Sequence, residues 1–304
     1  MRKSPSLSGV YAAALTPLHP DQSLALEDIS TYLSFLANRG CHGALMLGTT
    51  GEGPSFEAKE RISIFKATLE FRQSNPDFQL LAGTGTPSLE ETIFLTKMAF
   101  DLGFDAVVVL PPYYFHQASD DGLFQWFQRL INRAVPRDGQ FLGYHFPAQS
   151  RVPLSLNLLL RLRDSFPNQF VGIKDSSKDA EYAHRAQEIF DIDFKILTGS
   201  DRFLMSALEA GASGCITAMS SLFSPKLREV WDAHQQGKKA EAAQKYLLEK
   251  RNVLEQYPPF APTIKAVLPM LHGLPSWGVR SPLVPLPQER AELAANQFRG
   301  IAAK

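Results

Sequence analysis

Residues 170–177 read "FVGIKDSS". Phe170, Val171 and Ile173 form an apolar run of the kind that fills a strand covered on both faces, and Lys174 interrupts it with an ammonium. Asp175, Ser176 and Ser177 end the run with polar, turn-forming residues. Neighbouring strand residues point to opposite faces. By periodicity alone, Lys174 is therefore either a strand-end lysine reaching water or pairing with Asp175, or an amine held inside a sheet.

Similar short runs lie on both sides of it along the chain. They are "GVYAAAL" from Gly9, "GALMLG" from Gly43, "FQLLAGTG" from Phe78, "DAVVVLPP" from Asp105, "FLGYHF" from Phe141, "FKILTGS" from Phe194 and "SGCITA" from Ser213. Helical stretches separate them. "LEETIFLTKMAFDLG" starts at Leu89 with apolar residues at helical spacing, and Ser88 with Glu91 forms an S-x-x-E capping box. Asp179 is placed to cap the helix through "AEYAHRAQEIF", and Gly211 to close the one through "DRFLMSALEAG". Strand-then-helix units repeated over about 235 residues match the size of an α/β (β/α)8 TIM barrel. A doubly wound open sheet is the alternative architecture.

After Gly237 the pattern changes. "KKAEAAQKYLLEKRNVLEQY" and "TIKAVLPMLHGL" read as helices, "PSWGVRSPLVPLP" as a loop, and the remainder as a last helix to Lys304. No Gly/Ser linker precedes this tail. The expected organisation is a barrel over 1–236 and a C-terminal helical extension over 237–304.

At 304 residues, with 44% hydrophobic and 20% charged residues, the chain has the composition of a globular protein. Lys plus Arg and Asp plus Glu both number 31, so no overall charge excess suits nucleic acid or an anionic membrane. The opening "MRKSPSLSG" leads into no apolar segment of a secretion signal, and no run approaches a membrane span. A cytoplasmic protein is expected. Cys41 and Cys215 form no CxxC motif, and Cys215 in "SGCITA" reads as a small core residue. The histidines, at 19, 42, 116, 145, 184, 234 and 272, show no HxH or HExxH spacing, so neither a metal nor another cofactor is expected. His145 should face away from its neighbour Tyr144.

In a barrel, the C-terminal ends of the strands converge on one mouth, where such folds place their sites. These ends supply Thr16, the segment Gly48–Glu52, Gly83–Gly85, Tyr113 and Tyr114, Tyr144, Lys174, Gly199 with Asp201, and Thr217. A lysine there suits Schiff-base chemistry: desolvation disfavours an ammonium, a neutral amine attacks a ketone, and the resulting iminium draws electrons from the neighbouring carbon. In "GTTGEG", residues 48–53, two threonines between glycines after a strand allow backbone N–H groups to approach an anion, although a tight turn without ligand gives the same pattern. It is neither a Walker loop nor GxGxxG. A tyrosine at a strand end can relay a proton when hydroxyl partners hold it in line. Tyr144 fits that role better than Tyr113, which reads as packing.

"GTTGEG", "PPYYF", "GYHFP", "GIKDSS" and "LTGSD", in that order, resemble the dihydrodipicolinate synthase and N-acetylneuraminate lyase family of class I aldolases. The resemblance covers about residues 7–235 and implies a lyase in which Lys174 condenses with pyruvate. It further implies that Thr49 and Thr50 hold the pyruvate carboxylate, and that Tyr144 shuttles a proton with Thr50 in its relay. Tyr114 would come from a neighbouring subunit, in a homodimer or homotetramer, while Gly199 and Ile216 line the pocket.

There is one departure. Where the synthases carry an arginine for the aldehyde's carboxylate, five residues after the shuttling tyrosine, this chain has Gln149 in "YHFPAQSR". An amide lacks a guanidinium's charge and fork, and Arg151 lies about 6–7 Å further along an extended chain. "ITAMSSLF" from Ile216 also lacks the asparagine common in that loop of the synthases. The expected activity is therefore formation or cleavage of a 2-keto-3-deoxy sugar acid or related 2-oxo acid from pyruvate and a hydroxylated aldehyde. Dihydrodipicolinate synthase activity is the alternative, and a non-catalytic keto-acid sensor is the alternative of another class.

Overall fold

A computed structural model describes residues 6–300. The first five residues of "MRKSPSLSG" and the last four of the expected C-terminal helix lie outside the described residues.

All the expected strands form: β1 Gly9–Ala13, β2 Gly43–Met46, β3 Gln79–Gly83, β4 Ala106–Val109, β5 Gln140–His145, β6 Phe170–Asp175, β7 Lys195–Thr198 and β8 Gly214–Thr217. They pair in parallel in sequence order, and β8 closes on β1, giving the (β/α)8 barrel rather than an open sheet. Two apolar layers result from strand alternation. Inward residues, among them Leu45, Leu81, Val108, Leu142, Leu197 and Ile216, fill the barrel, and outward residues pack under the surrounding helices. Burying each such Leu, Ile or Val fully contributes about 1.5–3 kcal/mol.

The helix signals hold with one difference. Asp179 caps Ala180–Ile189, its Oδ1 accepting from the N–H groups of Glu181 and Tyr182 at 3.0 and 3.1 Å. Ser88 Oγ accepts from Glu91 N at 3.3 Å, but no return bond from the Glu91 side chain completes the expected box. The reciprocal pair forms instead at Ala58–Arg72, between Glu57 and Glu60. Longer carboxylate side chains at both positions can reach back across the first turn.

β6 departs from regular alternation. Phe141 pairs with Phe170, but Leu142 pairs with Gly172, so Val171 is an extra residue in the ladder. The bulge resets the parity: Phe170 and Ile173 both join the outer layer, and Lys174 faces in beside Tyr144. Gly172 is required there, because a Cβ would sit 2.1 Å from the carbonyl oxygen of Lys195 on β7.

Helices Glu241–Leu254, Phe260–His272 and Gln288–Arg299 follow the last barrel helix, Ser220–Gln235, and pack against it and each other. Trp277, in the loop between the last two, donates from Nε1 to Asp28 at 2.8 Å and packs edge-on to Tyr32. Among the described residues no helix is long and apolar enough to cross a membrane.

Candidate active site

The bulge in β6 and the β5–β6 register place Lys174 directly across from Tyr144. Both are almost fully buried, at 3% and 5% exposure, and Lys174 Nζ lies 4.1 Å from the centre of the Tyr144 ring. No carboxylate pairs with this amine among the described residues. The two side chains line a cavity of about 640 Å³ at the C-terminal ends of the strands, together with Thr49, Thr50, Gln149, Gly199 and Ile216. The residues that the family resemblance assigns to the site, with Gln149, thus meet at one place except for Tyr114, while Thr16, Gly83–Gly85, Tyr113, Asp201 and Thr217 from the strand ends do not line it.

Gly199 stands where β7 passes Ser176. Its N–H donates to the Asp175 carbonyl at 2.6 Å, and a Cβ would fall 1.9 Å from Ser176 Oγ. Only glycine lets the two strand ends approach this closely.

The threonine nearest the phenol differs from expectation. Thr49 Oγ1 lies 3.4 Å from Tyr144 Oη, while Thr50 lines the cavity without a side-chain hydrogen bond to Tyr144. Adjacent residues in a turn project in different directions, so the motif placed both threonines at the site without deciding which one reaches the ring. The N–H groups of Thr49 and Thr50 donate to no acceptor among the described residues, leaving two backbone donors at the cavity wall. Thr16 Oγ1 fixes the same loop from β1 by donating to the Gly51 carbonyl at 2.7 Å.

Gln149 lines the cavity from the short helix Pro147–Ser150. Arg151, at φ 54°, is exposed and does not line it. Tyr114 stands on the surface, 72% exposed, packed edge-on to the equally exposed Phe115. Within a single chain it is not part of the cavity.

Several site residues escaped the sequence reading. Pro258, Pro259, Phe260, Ala261, Pro282 and Leu283 cover the mouth from the C-terminal extension. Glu52, at φ 57°, is buried and ion-paired to buried Lys265, and its Oε2 accepts from Arg280 N at 2.7 Å. Lys265 also donates to the Gly278 carbonyl at 2.7 Å. Burial pushes the Lys265 ammonium down from its ordinary pKa, with the Glu52 charge opposing. The pair ties the "GTTGEG" loop to the extension. Its sequence signal was the one that drew attention to Lys174, a lysine inside an apolar run, here "TIKAVLPM".

His145 faces away from the cavity, as alternation requires. It stacks on Tyr182 with ring centroids 4.1 Å apart, and its Nδ1 accepts from Leu154 N at 3.0 Å. Burial lowers its pKa to about 4, against a weaker opposing pull from Asp179. An unfolded histidine takes up its proton near pH 6.5, so between about pH 6.5 and 4 the unfolded chain binds more protons. The resulting stabilisation is full above pH 6.5 and is lost as pH falls toward 4, reaching about 3 kcal/mol. Between pH 7 and pH 4, wild type should lose about this much more unfolding free energy in urea than His145→Asn. Parallel losses would mean that the folded protein protonates His145 normally. Cys215 is fully buried and its thiol is pushed up by burial, as befits a core residue. No three His, Cys, Asp or Glu side chains gather as a metal-ligand set among the described residues.

A sequence model of the Dihydrodipicolinate synthetase family matches residues 6–298. The chain is 39% identical over 296 residues to an "Uncharacterized DapA-like lyase" of Chloroflexus aurantiacus, covering 97% of each. It is 32% identical over 300 residues to the 4-hydroxy-tetrahydrodipicolinate synthase of Listeria monocytogenes, covering 97% of this chain and 99% of that protein. Among solved structures, YagE of E. coli K12, a prophage protein of the dihydrodipicolinic acid synthase family in complex with pyruvate, superposes with a TM-score of 0.91. That likeness has 25% identity and covers 97% of this chain and 99% of the other.

Proposed function

We propose that this chain, which belongs to the dihydrodipicolinate synthetase family, is a class I carbon–carbon lyase in which Lys174 forms a Schiff base with pyruvate. The position of Lys174 carries the proposal: a buried amine without a carboxylate partner, 4.1 Å from the centre of a tyrosine ring, in a cavity open at the strand ends. The neutral amine adds to C2 of pyruvate and water leaves, giving an iminium. Loss of a C3 proton makes an enamine, which attacks an aldehyde carbon. The new alkoxide takes a proton, and hydrolysis frees the amine and a 4-hydroxy-2-oxo acid. Cleavage runs the same steps backward.

In this mechanism Tyr144 moves the protons, with the Thr49 hydroxyl as its partner, and the free N–H groups of Thr49 and Thr50 receive the pyruvate carboxylate. Gly199 and Ile216 shape the floor beside the lysine. Tyr114 joins the relay from a second copy in a homodimer or homotetramer, a role its exposure beside Phe115 favours. Gln149 stands where a synthase would have its arginine, which favours a hydroxylated aldehyde, and hence a 2-keto-3-deoxy sugar acid, over the synthase reaction.

Borohydride reduction in the presence of pyruvate tests this reading. A stable adduct mapping to the peptide that contains Lys174 is the expected result, and a protein that takes up no label removes the proposal. Tyr144→Phe keeps the ring but not the hydroxyl. It should retain the adduct while aldol turnover drops roughly 10²–10⁴-fold. Turnover within a factor of two of wild type would rule out the phenol as the proton carrier.

A further inference from the structure

Besides Lys174, three charged side chains line the cavity: Glu52, Lys178 and Arg251. Glu52 is neutralised by Lys265, so the charge left facing the cavity is positive. Lys178 lies four residues beyond Lys174, at the turn before helix Ala180–Ile189, with φ 63°. Backbone in that region favours glycine, yet here it carries a long cation to the mouth. Its Nζ is 3.2 Å from Glu255 Oε1, and its side chain remains 53% exposed.

Arg251 projects from helix Glu241–Leu254 and is buried. Its Nε donates to Glu255 at 3.1 Å and its Nη1 to Asp201 at 2.8 Å, while the guanidinium lies over Phe260, another cavity residue. Its Nη2 has no hydrogen-bond partner among the described residues and is not enclosed. Arg202 also donates to Glu255, at 2.6 Å. Three cations therefore share two carboxylates, Asp201 and Glu255, neither of which lines the cavity.

We propose that Lys178 and Arg251 form an anion subsite at the mouth, and that the aldehyde partner carries a carboxylate or phosphate at the end remote from its reacting carbon. The inference rests on the Lys174 reading of the cavity and adds the charge of the second substrate. Arg251 is held rigid by Asp201, Glu255 and Phe260 and presents a fixed donor. Lys178 is joined only to a partly exposed carboxylate, a pairing weak enough for a substrate anion to replace. Lys178 follows β6 and Arg251 comes from the C-terminal extension, whereas Gln149 follows β5, so the subsite is built from other elements than the one that carries Gln149.

Three aldehydes of one carbon skeleton test it: glyceraldehyde, tartronate semialdehyde with a terminal carboxylate, and glyceraldehyde 3-phosphate. kcat/KM for each, with pyruvate saturating, is compared between wild type and Lys178→Gly, a change that relieves the backbone at this turn and so should not impair folding. Wild type should favour at least one anionic aldehyde over glyceraldehyde by tenfold or more, Lys178→Gly should lose most of that preference, and Lys178→Arg should keep it. Whether the carboxylate or the phosphate is preferred identifies the anion. A wild type indifferent to charge, or a preference that survives in Lys178→Gly, overturns the subsite. Borohydride labelling with pyruvate separates the two levels: no label means that the Lys174 reading has failed, whereas labelling without charge preference means that this inference alone has failed.

Discussion

Lys174→Ala should take up no label from pyruvate and borohydride, and its aldol turnover should fall about 10⁴-fold or more, since both the covalent step and the orientation it imposes are lost. The variant should fold. Lys174 has no ion-pair partner among the described residues, so removing a nearly buried amine takes away a desolvated polar group rather than breaking a network. Its thermal midpoint is expected to match or exceed that of wild type, the usual relation where a residue is held for chemistry at some expense in stability. A variant that still labels at another lysine would move the Schiff base elsewhere. One that unfolds would make Lys174 a structural residue.

Lys265→Met should carry the largest stability penalty. It strands the carboxylate of Glu52 in a site where both side chains are almost completely buried, a loss of roughly 3–5 kcal/mol. Glu52→Gln in the same chain should recover much of this, because no lone buried charge then remains. Urea unfolding of wild type, both single variants and the double variant gives the coupling energy. Additive effects would show that the pair is not coupled. Because Glu52 directly follows Thr49, Thr50 and Gly51, Lys265→Met should also raise KM for pyruvate in the folded fraction. Unaltered pyruvate affinity would separate the pair from the loop's position.

Much of the barrel was legible because its signals are local. Each strand announced itself as a short apolar run between turn residues, and caps such as Asp179 depend on residues within one turn. Four of the five ordered motifs likewise identified strand ends that meet at the cavity, whereas "PPYYF" contributes no cavity residue within the single chain. Which threonine reaches Tyr144 was not legible, since Thr49 and Thr50 are adjacent and chemically equal and differ only in where the turn aims them. The cover supplied by Phe260 and Leu283, and the Glu52–Lys265 pair, were hidden for another reason: their partners lie some two hundred residues apart, and no local pattern encodes such a contact. Tyr114 stays exposed in the single chain, so the part proposed for it depends on a second copy.

The amino acids alone determined that a lysine lies near the end of the sixth strand and a tyrosine near the end of the fifth, because composition and spacing along one segment are enough for that. The tertiary structure decided that the two face each other. Counted strictly from outward-facing Phe170, every second residue would share its side, and Lys174 would lie among the helices. The extra residue Val171 reverses that parity, Gly172 permits it by leaving room for the Lys195 carbonyl, and the amine turns into the barrel. A bulge arises from how two strands pair, and pairing belongs to the folded sheet rather than to any one stretch of chain.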